Sequence, residues 1–299
     1  MKISAIIPTK NRASDLSNAL KSIFDQSVLP DELIIVDQSD TVESKRSAFE
    51  ILESYDCKSC LYIYNRDIKG LVEAKHVGSM RAKGEIILFL EDDIILDRRY
   101  IEVLKSCFQS HSDLVGCCGV ITNPPSSSFI KRYIFDVFHT GLFYDPRNQI
   151  YGANQNIECK LIPSNKLSGG CSAWRAQVFE NIHFDTLNGF HMLEDIEFSM
   201  RVAKFYSRQL YINTGAKLQH NNSPLNRDNE HNRQSRKLTE YFIFYKKKTE
   251  SFRHLVEFLW LLMGLLFEAL YRSMRVASIK PIMGYFDGAL KGIKKIVIV

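Results

Sequence analysis

Charge of one sign is scarce in this 299-residue sequence: 39 Lys and Arg stand against 34 Asp and Glu, a net charge of only +5. That falls short of the dense basic stripe of a nucleic-acid-binding surface, so nucleic acid is not an expected partner. A disulfide framework is also missing. The seven cysteines are an odd number and are scattered, and Cys57-Lys-Ser-Cys60 has no second pair to complete a zinc ribbon. Ordinary reduced thiols are expected. No GxGxxG follows the first apolar run, which argues against a nicotinamide oxidoreductase. Thr9-Lys-Asn-Arg12 is likewise not the glycine-rich loop that a sugar nucleotidyltransferase would want. Ile3 to Ile7 is too short for the core of a signal peptide and Pro8 closes it, so export by that route is not expected.

What is present is a regular alternation. Ile3–Ile7, Glu32–Val36, Cys60–Tyr64 and Glu85–Leu90 are near-continuous apolar runs of strand length. Between them lie helical patterns: Leu16, Ala19, Leu20, Ile23 and Phe24 behind a Ser14 cap, a polar helix near Val42 to Tyr55, and Gly70 to Ala82 ended by Gly84. Strands of this kind separated by helices predict a mostly parallel sheet covered on both faces. Ligands of such sheets bind at the carboxyl ends of the strands. Three polar stretches follow strand ends directly: Thr9 to Arg12, Asp37 to Asp40 and Glu91 to Asp93. Asn123 to Asn165 reads as loops and short strands around an acceptor site.

Glu91-Asp92-Asp93 ends an apolar strand. Alternate residues of an extended chain share a side, so Glu91 and Asp93 can converge while Asp92 faces away. Hard carboxylate oxygens suit magnesium or manganese, which commonly bridge protein to substrate phosphate. A solvated acidic turn or a helix cap is the plainer use of such a triplet, but three acids at a cleft are costly to leave unneutralised.

Four stretches carry a family resemblance. Ile3 to Asp40, with Ile-Pro-Thr-Lys-Asn-Arg12 and Leu-Ile-Ile-Val-Asp-Gln-Ser-Asp40, resembles the opening of family 2 glycosyltransferases of the GT-A fold. Ala74-Lys-His-Val-Gly78 through Gly84 to Asp93 resembles the run into that family's DxD motif. Ser168-Gly-Gly-Cys-Ser-Ala-Trp-Arg175 and Leu193-Glu-Asp-Ile-Glu-Phe-Ser-Met-Arg201 resemble its acceptor-side glycine segment and ED motif. The resemblance implies a GT-A fold, Rossmann-like, with a mostly parallel sheet and helices on both faces. It implies an inverting, metal-dependent transfer of a sugar from a nucleoside-diphosphate sugar to an acceptor hydroxyl. Pro8, Thr9, Arg12, Asp37, Lys75 and Asp92 are then the candidate donor contacts, with Asp37 on the base and Lys75 on phosphate. Asp93 and Glu91 would hold Mn2+ or Mg2+, with His220 beside them. Asp195 would be the general base and Glu194 its orienting neighbour. Lys75 stands where the family more often has arginine, His76 where asparagine is common, and Glu91 where the first aspartate of DxD is usual. The family's QxxRW motif and multiple spans are missing, against a processive synthase. A non-catalytic nucleotide-sugar or glycan-binding module of the same fold is the rival reading.

From Ser251 the composition changes. The uninterrupted apolar run Phe258–Phe267 is shorter than a spanning helix needs. On a helix, Arg253, Glu257, Glu268, Arg272 and Arg275 share a narrow arc. Lys280, Asp287, Lys291, Lys294 and Lys295 share another, opposite Ile282, Phe286, Ala289, Leu290, Ile293 and Val297, with Pro281 in the first turn. Lysine-faced amphipathic helices suit an anionic membrane surface, with Lys246-Lys-Lys248 adding attraction; packing on the catalytic domain is the alternative use. The expected organisation is a catalytic domain over residues 1–245, with a nucleotide-sugar half at 1–122 and an acceptor half at 123–245. A membrane-associating helical region follows at 246–299. The expected setting is cytoplasmic, peripheral at the inner face of the membrane, with a glycan or lipid-linked acceptor.

Overall fold

The structure is a computed structural model that describes residues 1–57, 59–140, 160–207, 209–225, 228–248 and 252–297. Cys159, Lys58 and much of the expected acceptor loop region lie outside the described residues. Two compact units are present, one of Met1–Pro124 with Pro146–Asn226, the other of Pro125–Asp145 with Arg227–Val299.

The first unit opens with strand β1 (Ile3–Thr9), helix α1 (Ala13–Phe24), β2 (Glu32–Asp37), α2 (Glu43–Ser54), β3 (Cys60–Tyr64), α3 (Gly70–Arg81) and β4 (Ile86–Phe89). β3, β2, β1 and β4 are adjacent and parallel. This is the predicted βαβ alternation, and Ile6, Ile7, Ile34, Ile35 and Leu88 form its buried centre. Two helix boundaries differ from the sequence reading. Helix α1 begins at Ala13, and no side chain caps it, so Ser14 is inside the first turn. Helix α3 ends at Arg81; Gly84 belongs to the next turn, where its N–H donates to Ser4 Oγ at 2.8 Å.

The remaining strands are β5 (Ile94–Leu96), β6 (Gly116–Ile121) after α4 (Tyr100–Ser110), β7 (Leu161–Ser164), β8 (Ser172–Arg175) and β9 (Leu210–His220). The sheet order is β3-β2-β1-β4-β8-β6-β9-β5, with β7 also on β9. β8 lies antiparallel between β4 and β6, and both β5 and β7 run antiparallel to β9. β8 is therefore the hinge of the mixed half, and it carries the Ser168–Arg175 stretch to the edge of β4. Helices α6 (Val178–Asn181) and α7 (Glu194–Phe205) lie between β8 and β9.

The second unit contains α5 (Phe129–Phe135), a π-helical turn (Asp136–Thr140), α8 (Glu230–Lys248), α9 (Phe252–Arg275) and α10 (Lys280–Val297). The apolar run Phe258–Phe267 is the middle of a 24-residue helix, which by length and composition alone is long enough to cross a membrane. Of its polar arc, Arg253 and Arg275 are exposed, while the other residues are paired within the protein. Glu268 pairs with Lys237 at 2.5 Å, and Arg272 pairs with Glu230. Leu255, Leu259, Met263, Phe267, Leu270 and Met274 are exposed too. Helix α10 behaves alike: Gly284, Gly288 and Gly292 pack on α8, while Met283, Phe286, Leu290 and Ile293 are exposed. The predicted helices exist, and apolar side chains of both are exposed, in α10 together with Lys291, Lys294 and Lys295.

Candidate active site

The site grows from the carboxyl ends of β1, β2 and β4. Past β4, Leu90 N–H still donates to Ile6 O at 2.9 Å and Glu91 N–H to Gly170 O at 3.0 Å. The chain therefore stays extended into the acidic triplet, and alternation applies. Asp92 turns to β1: Thr9 Oγ1 donates to its Oδ2 at 2.8 Å, and Arg12 Nη1 to its Oδ1 at 2.8 Å. Burial pushes the Asp92 carboxyl up to about 6, against the lowering pull of Arg12 and Thr9. Arg12 also donates from Nη2 to Leu225 O at 3.0 Å. Burial opposes its charge, yet Asp92, Asp93 and Glu91 hold its pKa above the ordinary value.

Glu91 and Asp93 face the other way and meet at His220, the last residue of β9. His220 Nε2 is 2.9 Å from Glu91 Oε2 and 3.0 Å from Asp93 Oδ1. Register explains the meeting, because β5 and β9 pair antiparallel with Ile94 opposite His220. The Asp93 carbonyl accepts from Asn221 N–H at 2.9 Å and its Oδ2 from Ser223 N–H at 2.7 Å. Burial disfavours all three charges, but mutual attraction wins. The His220 imidazole is raised to about 10, and both carboxyls are held below their ordinary values.

A divalent cation fits these three groups. One ligand atom from each lies within 4.8 Å of the others. Adjacent ligands of an octahedral ion at about 2.1 Å stand roughly 3 Å apart, which is the spacing seen. One imidazole nitrogen and two carboxylate oxygens are a donor set that suits Mn2+, and His220 would give up its proton to bind the ion.

The second acidic group lies at the start of α7. Glu194 is buried, and its Oε1 is 2.5 Å from Lys75 Nζ; Lys75, 1% exposed, also donates to Gly169 O at 2.9 Å. Lys75, expected on a donor phosphate, thus has its charge balanced by Glu194. Asp195 is half-buried, and its Oδ1 accepts from Ile196 N–H at 2.8 Å. Gly169 and Gly170 run between the two acidic groups. A Cβ on Gly169 would collide with Glu194 and Lys75, and one on Gly170 with Glu91. Both glycines leave room for these side-chain ends where they stand.

Asp37 is fully buried at the end of β2, where Oδ1 accepts from Ser39 N–H at 2.8 Å and Oδ2 from Tyr62 Oη at 2.7 Å. Pro8 precedes Thr9 in β1, opposite Val36. His76 has a buried Nδ1 without a hydrogen-bond partner among the described residues, and its ring meets His183 edge-on at 5.8 Å. Trp174 is buried, donates to Ser172 Oγ at 2.9 Å and packs edge-on against Phe198, which fits core packing better than an open stacking platform. The loops hold further residues that the sequence reading passed over. Asn11 has φ +53°, and its amide and the Asp40 carboxylate and N–H bond reciprocally at 2.6 and 2.8 Å. Asn adopts that conformation more readily than most residues, which was the available signal. Tyr62 and Ser223 carried none.

Known proteins resemble this chain in sequence and in fold. The description of glycosyl transferase family 2 matches residues 4–182. The chain belongs to glycosyl transferase family 2. This family 2 chain is 30% identical over 207 residues to the uncharacterized glycosyltransferase YwdF of Bacillus subtilis, covering 69% of each. It is 28% identical over 118 residues to the GalNAc(5)-diNAcBac-PP-undecaprenol beta-1,3-glucosyltransferase of Campylobacter jejuni, covering 39% of this chain and 38% of that enzyme. Its fold resembles a mannosyltransferase of Pyrobaculum calidifontis solved with GDP-Man and Mn2+, at TM-score 0.64 and 13% identity, over 98% of this chain and 87% of that one. The GT-A fold expectation is thereby met. The family match ends before Glu194, Asp195 and His220.

Proposed function

We propose that this family 2 chain is an inverting glycosyltransferase, moving a sugar from a nucleoside-diphosphate sugar to an acceptor hydroxyl at the cytoplasmic face of a membrane. The observation that carries it is the meeting of Glu91, Asp93 and His220 at one point, with Glu194-Asp195 across the Gly169-Gly170 wall. Glu91, Asp93 and His220 are the groups that would hold Mn2+ or Mg2+, which supplies positive charge to a diphosphate leaving group. Thr9 and Arg12 brace Asp92 and shape the donor end of β1. Asp37, locked by Ser39 and Tyr62, shapes the pocket for the base. Asp195 takes the proton from the acceptor hydroxyl as that oxygen attacks the anomeric carbon opposite the departing diphosphate. Lys75 fixes Glu194, and through it the first turn of α7.

The acceptor is a glycan or a lipid-linked sugar, in surface-glycan or glycolipid assembly. Support comes from the lipid-diphosphate substrate in the name of the Campylobacter relative and from the exposed apolar side chains of α9 and α10. Lysines at Lys294 and Lys295 beside exposed Ile293 suit an anionic interface.

A panel of nucleoside-diphosphate sugars, read by released diphosphate with and without Mn2+, tests this function. Turnover of one donor that is abolished by EDTA and restored by Mn2+ is expected. Full turnover in EDTA contradicts the metal assignment. Donor binding with no turnover on any acceptor extract favours a binding module.

A further inference from the structure

Inside the second unit, a cavity of about 250 Å³ is lined by Lys131, Glu268, Tyr271, Arg272, Arg275 and Val276. That space accommodates a phosphate group. Tyr271 Oη donates to Ser128 Oγ at 2.6 Å, which ties the start of α5 to the last turns of α9. Ser128 Oγ also accepts from Lys131 N–H at 3.3 Å, so this one hydroxyl positions the backbone that carries Lys131.

The charges of the lining divide into two kinds. Glu268 is neutralised by Lys237, and Arg272 by Glu230. Among the described residues, Lys131 and Arg275 make no ion pair. Partial burial draws the Lys131 ammonium below its ordinary value, and Lys237, Arg233 and Arg272 push the same way against Glu268. The lining sets Lys131, Arg272 and Arg275 against Glu268 alone, a surplus of positive charge that suits a doubly charged phosphate better than a singly charged one.

The surroundings are apolar. Val276 lines the cavity and is exposed, as are Met274 and Ile130, the chain neighbours of Arg275 and Lys131. Met274 is 75% exposed. A pocket for a soluble anion has no use for exposed methionine and isoleucine at its cations. A membrane interface places apolar side chains in the acyl boundary and basic groups at headgroup depth.

We propose that this cavity is a headgroup site for a membrane lipid ending in a phosphate monoester or diphosphate, gripped by Lys131 and Arg275. The inference rests on the membrane-surface reading given above and gives it a ligand class.

Vesicle flotation of the full chain tests it, with three compositions: phosphatidylcholine alone, phosphatidylcholine with phosphatidylglycerol, and phosphatidylcholine with phosphatidic acid at matched surface charge. Tighter binding to the phosphatidic acid vesicles is expected. Lys131→Gln with Arg275→Gln should lose that preference, with about a thirtyfold loss of binding as for two interfacial cations. Lys131→Arg should keep it. Lys294→Gln with Lys295→Gln removes equal charge and should weaken both anionic vesicles alike. Equal binding to both anionic vesicles, or a preference that survives the Lys131/Arg275 double change, overturns the headgroup site and leaves the membrane reading intact. Binding to no vesicle overturns both. Complete release from phosphatidic acid vesicles by excess inorganic phosphate overturns the lipid as ligand and makes the cavity a soluble-phosphate site.

Discussion

Lys75 Nζ sits 2.5 Å from Glu194 Oε1, both side chains being buried. This pair joins α3, which follows the nucleotide-side strand β3, to the first turn of α7, where Asp195 stands. It ties the donor half of the first unit to its candidate base through one contact. Removing one partner of such a pair leaves a buried charge and costs about 3–5 kcal/mol. Lys75→Met should therefore lower unfolding free energy by that order in denaturant titration. Lys75→Met with Glu194→Gln should recover part of it. Equal losses in the single and double variants would show that the two side chains are not coupled.

The same pair sets a pH dependence. Burial pushes the Glu194 carboxyl up to about 7, against the lowering effect of Lys75. A carboxyl raised on folding contributes stability that is full below its ordinary value of 4.5 and is lost as pH rises through about 7. Between pH 5 and pH 8, wild type should lose stability relative to Glu194→Gln. Parallel pH profiles of the two proteins would contradict the shift.

Metal binding can be read apart from turnover. Asp93→Ala removes a proposed ligand and should cost at least about 100-fold in Mn2+ affinity by calorimetry, above the ~10–100-fold typical of outer-shell partners. Thr9→Val, which loosens Asp92 only, should fall below that loss. A wild-type affinity in Asp93→Ala would remove this residue from the metal set.

Helix α10 offers a packing test. Gly→Ala inside a helix ordinarily stabilises by roughly 1 kcal/mol. At Gly288 the added Cβ would stand 2.5 Å from Ser235 O and 2.9 Å from Leu238 Cβ, so something must shift. Gly288→Ala should thus destabilise the second unit, seen as a lower thermal midpoint by circular dichroism. A raised midpoint would mean that α10 does not rest on α8 by this face.

Several of these features were legible in the sequence and others were not, for identifiable reasons. Strands β1 to β4 were readable because each is buried on both faces and so is almost wholly apolar. The convergence of Glu91 and Asp93 followed from strand alternation alone. The expectation for Lys75 came from a phosphate role by resemblance, and nothing local in the sequence announces a partner 119 residues away. β8 was not read as antiparallel, because four residues, Ser172–Arg175, give no periodicity that distinguishes direction. In α10 the polar and apolar arcs were legible, and residues of both, Lys294 and Leu290 among them, are exposed. Gly284, Gly288 and Gly292 add nothing to a hydrophobicity pattern, yet they make the face on which the helix packs.

We propose that Asp195, across the Gly169-Gly170 wall from Glu91, Asp93 and His220, takes the acceptor proton. Asp195→Asn keeps the size of the side chain and removes its basicity. Its turnover should fall by ~100- to 10,000-fold, while donor binding by calorimetry stays near wild type. Normal turnover, or a loss of donor binding as deep as that of Asp93→Ala, would contradict the account.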